Sequence, residues 1–257
     1  DFPPAAVVAG RTLIGASILI PIAIYRKKFG GAVLGFRYVA FYALMEMIGP
    51  WILITTAEQK INSGLAGLLV STVPIFATII TSLRGDHSVW QFKRVFGIVV
   101  GFIGLILVVG IESLSGNSDP LSIAMVIVAS MGYAYAVIMV TSNLPLVDGI
   151  AINGLAMAIT TVFWAPVAIA QWPSSISMNS ALSLIALGVF STAFAFILFF
   201  KVMAEIGPAR SSLFTYLNTA IAVVLGVIIL REPLTIGIIV GLPLVLVGSY
   251  LASKKTA

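Results

Sequence analysis

The chain of 257 residues is 60% hydrophobic and only 9% charged, with a mean hydropathy of +1.14, far from the roughly 25% charged residues of an average soluble domain. That excludes a soluble globular body and makes the lipid bilayer the expected solvent and partner. The net charge of +5 is no nucleic-acid footprint, because the basic residues fall in short clusters between apolar runs instead of lining one face. The absence of cysteine excludes disulfides, thiolate metal sites and cysteine nucleophiles.

An apolar run of about 20 residues crosses ~30 Å of hydrocarbon, and nearly the whole chain is consumed by such runs. No basic n-region of a secretory signal precedes the first, since Asp1 is followed by Phe-Pro-Pro. This first span is expected over Pro4 to Tyr25. Arg11 lies several residues into it, where its stem could snorkel to the interface, its guanidinium could pair with Glu46 on the adjacent antiparallel helix, or its planar fork could receive a substrate carboxylate. The second span, Tyr38 to Ala57, carries Glu46 about midway. An ionised group is costly there and usually functional, which makes Glu46 a candidate proton-coupling site or ligand for a substrate amine. Trp51 and Thr55 share its helix.

The third span, Gly64 to Leu83, offers Ser71 and Thr78. In the loop after it, His87 stands beside Asp86 without a third ligand, a poor metal site, and no metal or cofactor is expected. The fourth, Val95 to Ile111, repeats Gly97, Gly101 and Gly104 at helical spacing, a face that permits close helix packing and is no nucleotide motif. Glu112 to Asp119 reads as an exposed polar loop. Leu121 to Thr141 follows with Tyr133 and Tyr135, then Ile150 to Gln171, then a second polar connection over Trp172 to Ser180. Ala181 to Val202 carries Ser191 and Thr192, and Ser211 to Leu230 carries Tyr216 and Asn218. Asn218 needs a buried partner or a ligand at that depth. The ninth span, Leu234 to Ala252, presents Gly237, Gly241 and Gly248, which either pack a terminal helix or form a homodimer contact. The expected fold is all-α and integral to the membrane, with nine transmembrane helices.

Lys and Arg concentrate in cytoplasmic loops. With the loop at Arg26 inside, eleven basic residues lie inside and only Lys60 and Arg231 outside. This places the C-terminus in the cytoplasm of a cell membrane, that of a bacterium by expectation, and Asp1 outside. A shift of 144 positions lays Gly97 on Gly241 and Gly104 on Gly248, and Ser71-Thr72-Val73-Pro74 on Thr215-Tyr216-Leu217-Asn218. Residues 1–114 then form a first repeat of four spans and residues 119–257 a second of five. The expectation is ten spans in the natural protein, with the first lacking here. An odd number of spans per repeat inverts one half against the other, as in many secondary transporters.

The stretch from Phe196 to Leu234, with its Gly-Pro-Ala-Arg turn at 207–210 and an acidic residue and proline after the next helix, resembles the second-half signature of the EamA-like branch of the drug/metabolite transporter superfamily. The opening DFPPAAVVAGRTLIGASILIPIA is similar to that family's second span, with Arg11 at its arginine, and Gly64-Leu65-Ala66 and Pro74 also match. Asn218-Thr219 and Asp86 depart from the proline and glutamate usual there. The resemblance implies ten helices in two inverted repeats, a central cavity, and transport, usually export, of amino acids, metabolites or drugs. An intramembrane enzyme would need a convergent catalytic set, which the sequence lacks, and a channel would more naturally show pore-lining rings. A nucleotide-sugar exchanger of the same fold and a scaffold or sensor stand as alternatives.

Overall fold

The computed structural model describes residues 1–85, 91–114, 119–206, 221, 223–229, 231 and 235–253, and every regular element among them is helical. Helix α1 (Pro4–Tyr25) opens on proline, whose absent N–H is no loss in a first turn. It closes through Lys27 in the left-handed region (φ 56°), so that the Lys28 N–H reaches the Ala23 carbonyl at 2.9 Å. A short helix not expected from the sequence, α2 (Phe29–Leu34), leads into α3 (Phe36–Ala57).

The third span, expected to be continuous, is broken. Helix α4 (Ser63–Leu83) consists of Ser63–Val70 and Val73–Leu83, divided at Ser71-Thr72. Pro74 explains the break, because it has no N–H and its ring crowds the carbonyl four residues back. The Ser71 and Thr72 hydroxyls donate to the Leu68 and Leu69 carbonyls, each at 2.6 Å. Helix α5 (Phe92–Leu114) runs into what was expected to be a polar loop from Glu112. Asp119 caps α6 (Pro120–Asn143) by accepting from the Ser122 N–H and hydroxyl at 2.9 and 2.8 Å, and Asp148 caps α7 (Gly149–Ala170) through the N–H groups of Ile150 and Ala151. Helix α8 comprises Met178–Gly188, a π-helical turn at Val189–Phe194, and Ala195–Ile206. Residues 223–229 are helical, and α9 (Ile236–Ser253) follows.

Among the described residues six helices are long and apolar enough to cross a membrane: Pro4–Tyr25, Phe36–Ala57, Ser63–Leu83, Pro120–Asn143, Gly149–Ala170 and Met178–Lys201. Val95–Leu107 and Ile236–Leu251 are shorter apolar stretches. Most of the expected Ser211 to Leu230 span lies outside the described residues.

The chain forms two compact units, one of Asp1–Thr55 with Met139–Pro208, the other of Thr56–Ile138 with Ala209–Ala257. Each draws helices from both halves of the sequence. In the first, α1 lies along α7, helices whose starts are 145 positions apart and which carry interior prolines at Pro21 and Pro166, the same interval apart. Small residues bring them close: a Cβ on Gly154 would stand 3.3 Å from the Ile20 nitrogen. In the second, α5 lies along α9, where a Cβ on Gly104 would stand 2.9 Å from the Val245 nitrogen and one on Gly248 would strike the Gly101 backbone.

Candidate functional site

The polar groups of the first unit gather where α3 and α8 meet the α1–α7 pair. Both α3 and α8 are irregular there. In α3 the residues Leu44–Ile48 form a π-helical turn, with the Gly49 N–H reaching the Leu44 carbonyl five residues back. In α8 the turn at Val189–Phe194 has the Ala195 N–H reaching the Phe190 carbonyl in the same way. A π turn holds one residue more than α geometry needs, and such turns are frequent at functional sites.

Glu46 is the third residue of the first π turn. Its Oε2 is buried and has no hydrogen-bond partner among the described residues. Ser191, third in the second π turn, is exposed, and Thr192 beside it is fully buried. Arg11 donates from Nε and Nη2 to the Thr192 hydroxyl at 3.2 and 3.1 Å, and Thr192 in turn donates to the Leu187 carbonyl at 2.9 Å. The guanidinium carbon lies 3.9 Å from the ring centroid of Trp51, itself buried, a cation–π stack. The expected pairing of Arg11 with Glu46 is not formed. Thr192 and Trp51 take the guanidinium instead, and no Arg11–Glu46 ion pair occurs among the described residues. Gly15, one turn along α1 from Arg11, lets Thr192 approach: a Cβ there would stand 3.1 Å from Thr192 Cγ2.

Three further contacts support this group, and the sequence did not single them out. Trp164 of α7 donates from Nε1 to the Ile48 carbonyl, the last of the first π turn, at 3.1 Å. Tyr42 donates to Asn153 Oδ1 at 3.0 Å, and the Thr12 and Thr161 hydroxyls lie 2.8 Å apart. A tryptophan and an asparagine inside an apolar run were the available signals, since each carries a polar group that must be satisfied at depth. Thr55 is half-buried near the end of α3.

Four other expected site residues lie in the second unit. Ser71 and Thr78 turn their hydroxyls to the backbone of their own helix, at Leu68 and Pro74. Tyr133 and Tyr135 are half-buried on α6, with the Arg84 guanidinium 5.5 Å from the Tyr135 ring centroid. Gly101, Gly104 and Gly248 stand at the α5–α9 contact, the Gly97 carbonyl is 2.7 Å from where a Gly248 Cβ would lie, and Gly237 and Gly241 are buried on α9. Tyr216, Asn218, the turn at 207–210, Asp86 and His87 lie outside the described residues. Among the described residues no three His, Asp or Glu side chains gather as a metal site would require.

The chain is similar to known membrane proteins along almost all of its length. The transporter YoaV of Bacillus subtilis is 27% identical over 98% of this chain and 87% of its own. The inner membrane transporter YedA of Escherichia coli K12 is 25% identical over 82% of this chain and 71% of its own. A solved crystal structure superposes with a TM-score of 0.69 over 98% of this chain and 88% of its own, at 16% identity, which shows a shared fold. The model of the EamA-like transporter family matches residues 1–110 and again residues 120–254. With that double match over an all-helical, apolar chain, this protein belongs to the EamA-like transporter family of the drug/metabolite transporter superfamily and is a multi-pass membrane transporter, not an enzyme.

Proposed function

We propose that this transporter is a secondary exporter of small metabolites such as amino acids or amine-bearing compounds, working by alternating access between two inverted repeats, residues 1–114 with four spans and residues 119–257 with five. Glu46 is its coupling or amine-binding group. The observation that carries this reading is the buried Glu46 Oε2 without a partner among the described residues, on a π turn midway along a membrane-length helix. A carboxyl held at such depth is expensive, and it finds its partner in a proton or a cationic donor. The division of basic residues, eleven against two, supports a cytoplasmic C-terminus in a cell membrane. Arg11, Trp51, Thr55, Ser191 and Thr192 are the proposed neighbours of the solute in the first unit. Ser71, Thr78, Tyr133, Tyr135, Tyr216 and Asn218 complete the set of candidates.

The test is efflux of a labelled amino-acid and amine panel from proteoliposomes, with and without an imposed pH gradient. Gradient-driven efflux of any member is expected, and Glu46→Gln, which imitates the protonated carboxyl at the same volume, abolishes the response to the gradient. An undiminished response in Glu46→Gln removes the coupling assignment. If no member moves, nucleotide-sugar exchange or a role without transport takes its place.

A further inference from the structure

The two π turns repeat each other. Glu46 and Ser191, third in their respective turns, are 145 positions apart, as are Pro21 and Pro166 and the first residues of α1 and α7. Two independent accidents would not fall at one register, and neither turn is needed to span the bilayer. Each also carries a carbonyl, in or just before it, that a side chain takes up. The Ile48 carbonyl accepts from Trp164 of α7, while the Leu187 carbonyl accepts from Thr192, whose hydroxyl is held by Arg11 of α1. The bracing is crossed: α7, in the second half of the sequence, holds the π turn of the first half, and α1, in the first half, holds that of the second.

We propose that these π turns are paired hinges of the transport cycle, with Trp164 the positioning residue that latches the turn at Leu44–Ile48 and Arg11, through Thr192, the one that latches the turn at Val189–Phe194. Expelling the extra residue of a π turn into α geometry rotates the helix beyond it by about 100° and advances it by about 1.5 Å, the increment of one residue. In α3 the part that turns carries Trp51 and Thr55. Trp51 is also the platform on which the Arg11 guanidinium stacks, so movement at the first hinge disturbs the latch of the second. The two hinges therefore work in sequence and not independently. The inference rests on the family's transport activity but not on the role proposed for Glu46.

The chain has no cysteine, so single reporters can be placed at Met45→Cys and Ser191→Cys, one in each turn of the full chain. Their labelling by a membrane-impermeant maleimide is measured from each face of oriented proteoliposomes. Opening the Trp164 latch removes one net hydrogen bond, enough to shift an equilibrium by about fivefold. Trp164→Phe, which keeps the ring and loses the donor, is expected to raise labelling of the Met45→Cys reporter from one face by about that factor and lower it from the other. Thr192→Val, which removes the acceptor of two Arg11 donors and the donor to Leu187, is expected to shift labelling of Ser191→Cys in the same manner and by at least that factor, while Thr192→Ser, which keeps the hydroxyl, labels as the Ser191→Cys reporter alone does. Equal increases from both faces signify loosened packing, and unchanged ratios signify no hinge; either result overturns the proposal. So does the reverse order at Thr192, with valine tolerated and serine disruptive, because shape and not the hydroxyl would then be what the site uses.

Discussion

Arg11 and Glu46 carry opposite formal charge in one compact unit, yet the guanidinium spends two of its donors on a neutral hydroxyl and lays its face on an indole. Both residues were conspicuous in the sequence because charge inside an apolar run is rare. Their partners were not, because which side chains meet depends on the rotation of each helix about its axis. Trp164, Asn153 and Thr161 are read as ordinary span residues until α1, α3 and α7 are placed together. The Tyr42–Asn153 bond, with Asn153 2% exposed, gives a direct measure of what such a contact contributes in lipid. Tyr42→Phe is expected to lower stability in a detergent or lipid unfolding titration by about 0.5–1.5 kcal/mol, the range of interhelical hydrogen bonds in membranes.

At the scale of the element, the helix caps and the broken helix have local causes that a reading by hydropathy passes over. Pro74 interrupts α4, expected as one run, and Asp119 and Asp148 cap helix starts. The Asp119 carboxylate lies below the ordinary carboxylate range, first because the Ser122 hydroxyl donates to it, then through the Ser122 N–H and the neighbouring Lys60. A lowered value in the folded state means the cap is complete above the ordinary range, near pH 4. It is lost as pH falls through the lowered value. The protection of the first-turn amides of α6, taken relative to the intrinsic exchange rate at each pH, is therefore expected to be high at about pH 6 and to fall well below about pH 4, and Asp119→Ala should show little protection at either. The π turns were invisible to periodicity, since one extra residue changes neither the length nor the hydropathy of a 22-residue run. The short α2 was likewise hidden, because FGGAVL has the glycine content of a connection.

For the whole molecule, the membrane class and six of the nine expected spans could be read from hydropathy, because bilayer thickness sets a length that few other constraints impose. The arrangement of helices could not. The sequence repeats run consecutively, whereas the compact units each combine helices from both ends of the chain. Hydropathy records depth in the bilayer, not which neighbour lies beside which. The proposed orientation is open to measurement: a fluorescent reporter fused after Ala257 is expected to be shielded from protease added outside intact cells, while phosphatase fused at the same point should be inactive.

At the α5–α9 seam the main chains themselves meet, with Gly248 set against Gly101 and the Gly97 carbonyl. Gly248→Ala is expected to cost about 1–3 kcal/mol, because backbone cannot step aside as a side-chain tip can. Gly30→Ala, where a Cβ meets nothing within 4 Å, should be silent in the same unfolding assay. Variation at the seam is consequently one-sided: no residue is smaller than the one present, so every substitution adds atoms and none can be offset by trimming its opposite number. A saturation library selected for folded protein should therefore leave Gly101 and Gly248 nearly blank beside lipid-facing neighbours that accept most apolar residues, and double changes at the pair should fare no better than single ones.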